Sequence, residues 1–145
     1  MAEEMRKLAG HNELDVFEKI TATLYTDPLS DILDQMGFRN QVIDPRLGIR
    51  PLEPGMVMIG RAMTMINDFD TRMEDPYEKA IEGMDAIRPG QVLVATRTAP
   101  FPAGIMGELS ATRIRNRGAR GALRSRLLPG SDLHGRHASH VIADH

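Results

Sequence analysis

The hydrophobic and polar positions along the chain divide it into short helical and extended stretches separated by proline and glycine. Asn12 is placed to cap a first helix, in which Leu14, Phe17, Ile20 and Leu24 recur at spacings of three to four and form one stripe. A second helix is predicted from Asp27 as N-cap, with Pro28 in its first position, apolar Ile32, Leu33 and Met36, and Gly37 just past its end. The two helices are expected to pack as a pair at the edge of the domain. Between Phe38 and Pro54, Asp44-Pro45, Gly48 and Pro51 forbid a long helix and point to extended segments joined by turns. Pro54-Gly55 then turns the chain into the strongest strand candidate, Met56 to Ile66, where Gly60 marks a bulge or a point of close approach.

The pattern then switches back to helical. Asp75-Pro76 repeats the cap-then-proline start, and Tyr77, Ala80, Ile81, Met84 and Ile87 are expected on one packed face. Pro89-Gly90 leads into Val92 to Ala95, a continuous apolar strand of the kind buried on both faces. A loop containing Pro100 and Pro102 delivers the chain to the stretch around which the rest is organised, Gly107 to Leu123. That stretch reads as a helix ending at Gly118 and then the start of a buried strand. After Leu123 neither a helical nor a strand period is visible.

Strand, loop and helix N-terminus in succession is the geometry in which α/β proteins hold ligands. Glycine at the helix entry lets a ligand approach the backbone, and the amides of the first turn can bind an anion such as a carboxylate. Two readings of Gly107 stay open here: an anion site, or a plain loop residue ahead of a helix that only packs. Asp68 and Asp70, in the loop from Asn67 to Glu74, read as solvated rather than catalytic.

Composition narrows the classes. At 145 residues the chain makes one domain, and no cysteine is present, which removes disulfides, thiolate nucleophiles and Cys-ligated zinc. Ten Met against six Phe and Tyr indicate a core of flexible aliphatic side chains. The polar start, Met-Ala-Glu-Glu-Met-Arg-Lys, lacks the apolar segment of a signal peptide, and no apolar run reaches membrane-spanning length, so a cytoplasmic location is expected.

The net charge of -2 conceals Arg113, Arg115, Arg117, Arg120, Arg124 and Arg126, a run without an acid among them. Such a segment is either a solvated helix face or a surface for phosphate or an acidic partner, and the scarcity of aromatics argues against single-stranded nucleic acid. His134, His137 and His140 share a helical spacing, but Gly135 interrupts it and no carboxylate joins them, so the metal reading is set aside for a disordered tail.

Several segments in order resemble the RraA-like family, which includes 4-hydroxy-4-methyl-2-oxoglutarate aldolases and regulators of ribonuclease activity and is also labelled demethylmenaquinone methyltransferase-like. They are Ser30 to Gln41, Arg50-Pro51-Leu52, Gly60-Arg61-Ala62, Asp75-Pro76-Tyr77-Glu78, Arg88 to Val92, Gly107 to Thr112 and Arg117 to Ala122. The resemblance covers about residues 14 to 123. It implies an α/β domain of the swivelling β/β/α type, incomplete at the C-terminus in this chain, and a homotrimer or hexamer with sites between subunits. On that basis residues 1–11 are a flexible lead-in, 12–123 the N-terminal part of the domain, and 124–145 an unmatched, disordered tail. It further implies a divalent cation, Mg or Mn, that polarises a pyruvate-containing 2-oxo acid so that a carbon-carbon bond breaks to leave an enolate. The backbone amides of Gly107, Glu108 and Leu109 then hold the pyruvate unit.

The chain departs from the family where an Asp-Gly-x-x-Arg-Asp motif is expected, with its carboxylate-gripping arginine and metal-side aspartate. Arg124-Ser125-Arg126-Leu127-Leu128-Pro129-Gly130-Ser131 stands there instead, so no catalytic or metal-binding residue is assigned. Reading the codons of Arg126 to Ser131 one nucleotide later permits Gly-x-x-Arg-Asp, which suggests a frameshift that DNA sequencing checks. Three functions follow from the resemblance. One is a metal-dependent lyase acting by aldol cleavage or oxaloacetate decarboxylation; another is a non-catalytic regulator docking on a ribonuclease; the third is an inactive fragment. Loss of the later strands also predicts poorly covered faces around Val57, Ile59, Val92 and Val94, hence poor solubility.

Overall fold

A computed structural model of the chain describes residues 12–45, 48–68, 74–98, 104, 106–124 and 139–143. The chain forms two compact units, one through Asp44 and one from Pro45 onward.

The first unit holds helices α1 (Glu13–Thr23) and α2 (Thr26–Gln35). Asn12 caps α1 as expected, its side chain accepting from the Leu14 amide at 3.4 Å. Leu14, Phe17, Ile20 and Leu24 do form a stripe, but it is half-buried, and neither helix contains a buried residue. The start of α2 differs from expectation: Tyr25 is the N-cap, without a side-chain bond, and Asp27 lies inside the first turn. Proline needs no amide partner anywhere in that turn, so Pro28 is tolerated two residues further in than predicted. The end is as expected. Gly37 adopts a φ of 89°, its amide donates to the Asp34 carbonyl at 3.0 Å, and the Phe38 amide donates to Leu33 at 2.9 Å. That paired closure requires a left-handed residue, for which glycine has no steric cost. Ile32 and Met36 are exposed, contrary to the expected apolar side.

The second unit is a five-stranded sheet, β1 (Ile49–Pro51), β2 (Arg61–Asn67), β3 (Gln91–Arg97), β4 (Gly121–Arg124) and β5 (Ser139–Ala143), in the order β1-β5-β4-β3-β2. Strands β2, β3 and β4 are parallel; β5 runs antiparallel to β4 and parallel to β1. Helices α3 (Glu78–Asp85) and α4 (Glu108–Asn116) connect the parallel strands. The mixed α/β class is therefore as the sequence indicated.

The ladder of β2 begins at Arg61, five residues later than the predicted Met56. Gly60 explains the delay. A Cβ there would stand 2.5 Å from the Gly90 carbonyl oxygen and 2.9 Å from Val92 Cγ2, so the chain first passes tightly over the turn that opens β3. Close approach, one of the two roles expected of Gly60, is what the backbone shows. In β3, Val92, Leu93 and Ala95 are buried and Val94 is half-buried. The surroundings of the valines are mixed: Val92 is buried, while Val57 is exposed.

The core lies on one face of the sheet. Leu93, Ala95 and Ala122 pack there with Met84 and Ile87 from the α3 side and Ile114 and Ala119 from the α4 side, and Met63, Met65, Ala80 and Met106 fill the margins. The start of α3 is a correction: Asp75 has a φ of 45° and accepts from the Glu78 amide at 3.0 Å as part of a turn, while Tyr77 is the N-cap. The predicted stripe reaches the core only in part: Ala80, Met84 and Ile87 pack there, while Tyr77 is 73% and Ile81 40% exposed.

Strand β5 lies in the segment that carried no visible period, with Ile142 opposite Ala122 and Val141 opposite Leu123. Two adjacent apolar residues are too few to reveal a strand by alternation. The expectations for 1–11 and for most of the tail lie outside the described residues.

Candidate site at the entry of helix α4

Helix α4 is anchored at its far end. Gly118, at a φ of 83°, closes it: the Gly118 amide donates to Arg115 at 2.8 Å and the Ala119 amide to Ile114 at 3.1 Å. The Gly118 carbonyl accepts from the Gly90 amide at 3.0 Å, and a Cβ on Gly118 would meet Pro89 at 3.1 Å. This end is thus pinned to the N-terminal edge of β3, so α4 runs antiparallel to β3, with its start toward the C-terminal edge of the parallel strands.

At that edge stands Gly107, the N-cap, with extended backbone (φ -120°, ψ -172°) and no side-chain cap. No atom of the described residues lies within 4 Å of the position a Cβ would take. Gly107, Glu108 and Leu109 are all exposed, Leu109 by 88%. The Gly107 carbonyl accepts from Ala111 at 3.0 Å, which starts the helix and leaves the first-turn amides directed outward. An N-terminus in this state presents donors and the positive end of the helix dipole to an anion.

The neighbouring strand ends are polar. Asn67 Nδ2 donates to the Thr96 carbonyl at 3.0 Å, and the Thr98 amide donates to the Asn67 carbonyl at 3.0 Å. The Thr98 hydroxyl donates to the Asp68 carboxylate, so Asp68 is held in the structure as well as exposed. The Thr96 hydroxyl oxygen is buried with no hydrogen-bond partner. Arg97, the last residue of β3, is only 6% exposed. Sequence reading passed over Arg97 as the start of a loop; an arginine directly after the apolar run Val92 to Ala95 was the available signal.

Part of the arginine run has a structural use. Arg113 forms a two-pronged bond to Asp85 at the end of α3, Nε to Oδ1 at 2.9 Å and Nη2 to Oδ2 at 2.6 Å. Arg117 donates to the Asp85 main-chain carbonyl, a favourable cation at a helix C-terminus. The hydrogen bond from Arg113 holds the Asp85 carboxyl below its ordinary pKa, with the nearby charges of Arg113 and Arg117 acting in the same direction against desolvation. These contacts clamp α3 to α4 and so help fix where the α4 entry sits.

The His134 and His137 positions and Asp70 lie outside the described residues, and of His140 only the backbone in β5 is described. Among the described residues no three His, Asp or Glu side chains form a group suited to a metal ion. No step below is routed through a metal ion. No helix among the described residues is long and apolar enough to cross a membrane.

A mixed α/β domain with three parallel strands and a helix entry open at their C-terminal edge is an architecture of ligand-binding proteins. The model of the RraA-like family, described as Aldolase/RraA, matches residues 26–124, and the chain belongs to that family. Neither the curated proteins nor the solved structures include a significant match to the chain.

Proposed function

We propose that the chain binds a pyruvate-type 2-oxo acid through the backbone amides of Gly107, Glu108 and Leu109. The chemistry is that of a family lyase: aldol cleavage of a 4-hydroxy-4-methyl-2-oxoglutarate type substrate, or decarboxylation of oxaloacetate. The observation that carries this reading is the entry of α4, where Gly107, Glu108 and Leu109 are exposed and no atom of the described residues lies within 4 Å of a Cβ placed on Gly107. A carboxylate there gains several charge-assisted bonds from fixed donors, and the same donors favour enolate charge as it develops. Turnover is expected to be weak, because residues 124–131 carry no Arg-Asp pair and the described residues offer no metal group. An assembly of three or six copies is the accompanying expectation for an intact family member.

The test is pyruvate release from oxaloacetate, measured against a protein-free blank with and without Mg²⁺ and after chelation. Release above the blank supports the lyase reading, and its loss on chelation shows that a divalent ion is recruited. A folded sample that releases none defeats the lyase reading in favour of a regulator of ribonuclease activity. The arginine run offers that alternative less free charge than its length suggests, since Arg113 and Arg117 are engaged with Asp85.

A further inference from the structure

We propose that the outer side of β2 is a pairing surface for a second copy of this chain, the two β2 strands lying antiparallel about a two-fold axis at Thr64. The inference is independent of the α4-entry reading.

The sheet has two lateral strands, and only one of them is blunted. β1 is three residues long and ends in Pro51, a short proline-bearing edge of the kind that resists further pairing. β2 runs for seven residues, and from Ala62 to Ile66 it carries no charge, proline or glycine. A long uncharged lateral strand is a template for another strand.

The direction of its backbone groups follows from one bond. The Asn67 carbonyl accepts from the amide of Thr98, just past β3, so Asn67 turns its main-chain groups toward β3. Bonding alternates along a parallel strand, and Ala62, Thr64 and Ile66 therefore turn their N–H and C=O groups away from β3. Among the described residues no strand pairs with β2 on that side, and no other backbone group bonds to these three. All three are exposed, Ile66 by 69%.

What the strand would meet points to its own copy. With the axis at Thr64, Ala62 opposes Ile66, Met63 opposes Met65, and Thr64 opposes Thr64. The three outward-turned residues then form three opposed pairs, each exchanging two bonds, or roughly six main-chain hydrogen bonds in all. On the exposed face a small side chain lies against a large one at both ends, with a favourable Thr–Thr pair between them. Charge fits as well. Arg61 falls opposite Asn67 and beside Asp68 of the second copy, so unlike charges meet at each end of the seam, whereas parallel pairing in register would set Arg61 against Arg61. Arg61 and Asp68 also have contacts within their own chain, and the main-chain ladder does not require either to be released. A two-fold contact of this kind closes on itself, so each lateral strand is used up in the pair.

The test is the mass of the full chain by sedimentation equilibrium over a range of concentrations. Wild type is expected in even multiples, as two copies or as six, which is three such pairs. Thr64→Lys places two ammonium groups against each other on the axis and should halve that mass, with circular dichroism showing the fold retained. If Thr64→Lys does not fold, Thr64→Glu creates the same repulsion and takes its place. Mixing the Lys and Glu variants sets opposite charges across the axis and should restore the wild-type mass. A wild type of one or three copies, or a folded Thr64 variant of unchanged mass, overturns the pairing. A mixture of folded variants that stays at half mass overturns the register about Thr64.

Discussion

The two ends of β3 use glycine for opposite purposes. At the N-terminal end, Gly60 and Gly118 are packed so closely that an added Cβ would strike the Gly90 carbonyl at 2.5 Å in one case and Pro89 at 3.1 Å in the other. At the C-terminal end, a Cβ on Gly107 would meet no atom of the described residues within 4 Å, and Gly107 lies among exposed residues. The lower end is a closure that ties α4 and β2 to β3 through backbone contact. At the upper end the entry of α4 is exposed, and the strand ends on that edge carry Asn67, Thr96, Arg97 and Thr98. Glycine in the sequence is therefore ambiguous until its surroundings are known, and the contrast sets a structural edge against the edge proposed to bind a ligand.

The largest effect expected from this contrast is at the closed edge. Gly60→Ala must push a backbone carbonyl aside, an overpacking cost of about 1–3 kcal/mol. Gly118→Ala combines the contact with Pro89 and a φ of 83°, which a side chain adopts only under strain of about 1–3 kcal/mol. Both should lower the denaturant midpoint without changing the slope. Full stability in either variant would mean that the lower edge is not a closure.

The open edge should respond in the reverse way. Gly107 needs no left-handed backbone and meets no neighbour, so Gly107→Ala is expected to alter stability by no more than about 0.5 kcal/mol. On the proposed carboxylate site its methyl group would stand in the path to the amides, and affinity for oxalate, a small dianion resembling the pyruvate enolate, should drop several-fold. A variant that loses stability but keeps affinity would reverse the assignment of the two edges.

What could be read beforehand follows the same division between local and non-local causes. The glycine ends of α2 and α4 were legible at Gly37 and Gly118, because a left-handed C-terminal residue is a requirement met within one turn of chain. The starts of α2 and α3 were not, because a proline fits several positions of a first turn and does not single out Asp27 or Asp75 as the cap. Met56 to Ile59 look like strand in composition, yet the ladder waits until Gly60 has cleared Gly90, which is a contact thirty residues away in the chain. Arg97 was missed for a related reason: an arginine after an apolar run reads as the strand's exit into water, yet Arg97 is buried at the end of β3. Gly107, Glu108 and Leu109 were identified in advance as an entry that can hold an anion, and the open geometry there is compatible with that use.

The smallest expected effect lies in the clamp between the helices that frame both edges. Asp85 and Arg113 are 41% and 43% exposed, so solvent screens their attraction and the pair contributes little to stability. Its pH dependence has a definite sign. Because the hydrogen bond from Arg113 lowers the folded-state pKa of Asp85, the contribution is complete above the unfolded-state value and fades as pH falls through the folded-state one. Asp85→Asn should therefore lower Tm slightly at neutral pH, and the two melting curves should converge in acid once the wild-type carboxyl is protonated. High salt should shrink the neutral-pH difference as well. The clamp also sets the spacing of α3 and α4, so a loss of oxalate affinity in Asp85→Asn at neutral pH, absent in acid relative to wild type, would show that the upper opening depends on the bracket below it. Unchanged affinity would confine Asp85 to stability alone and leave the position of Gly107 to the Gly90–Gly118 tie.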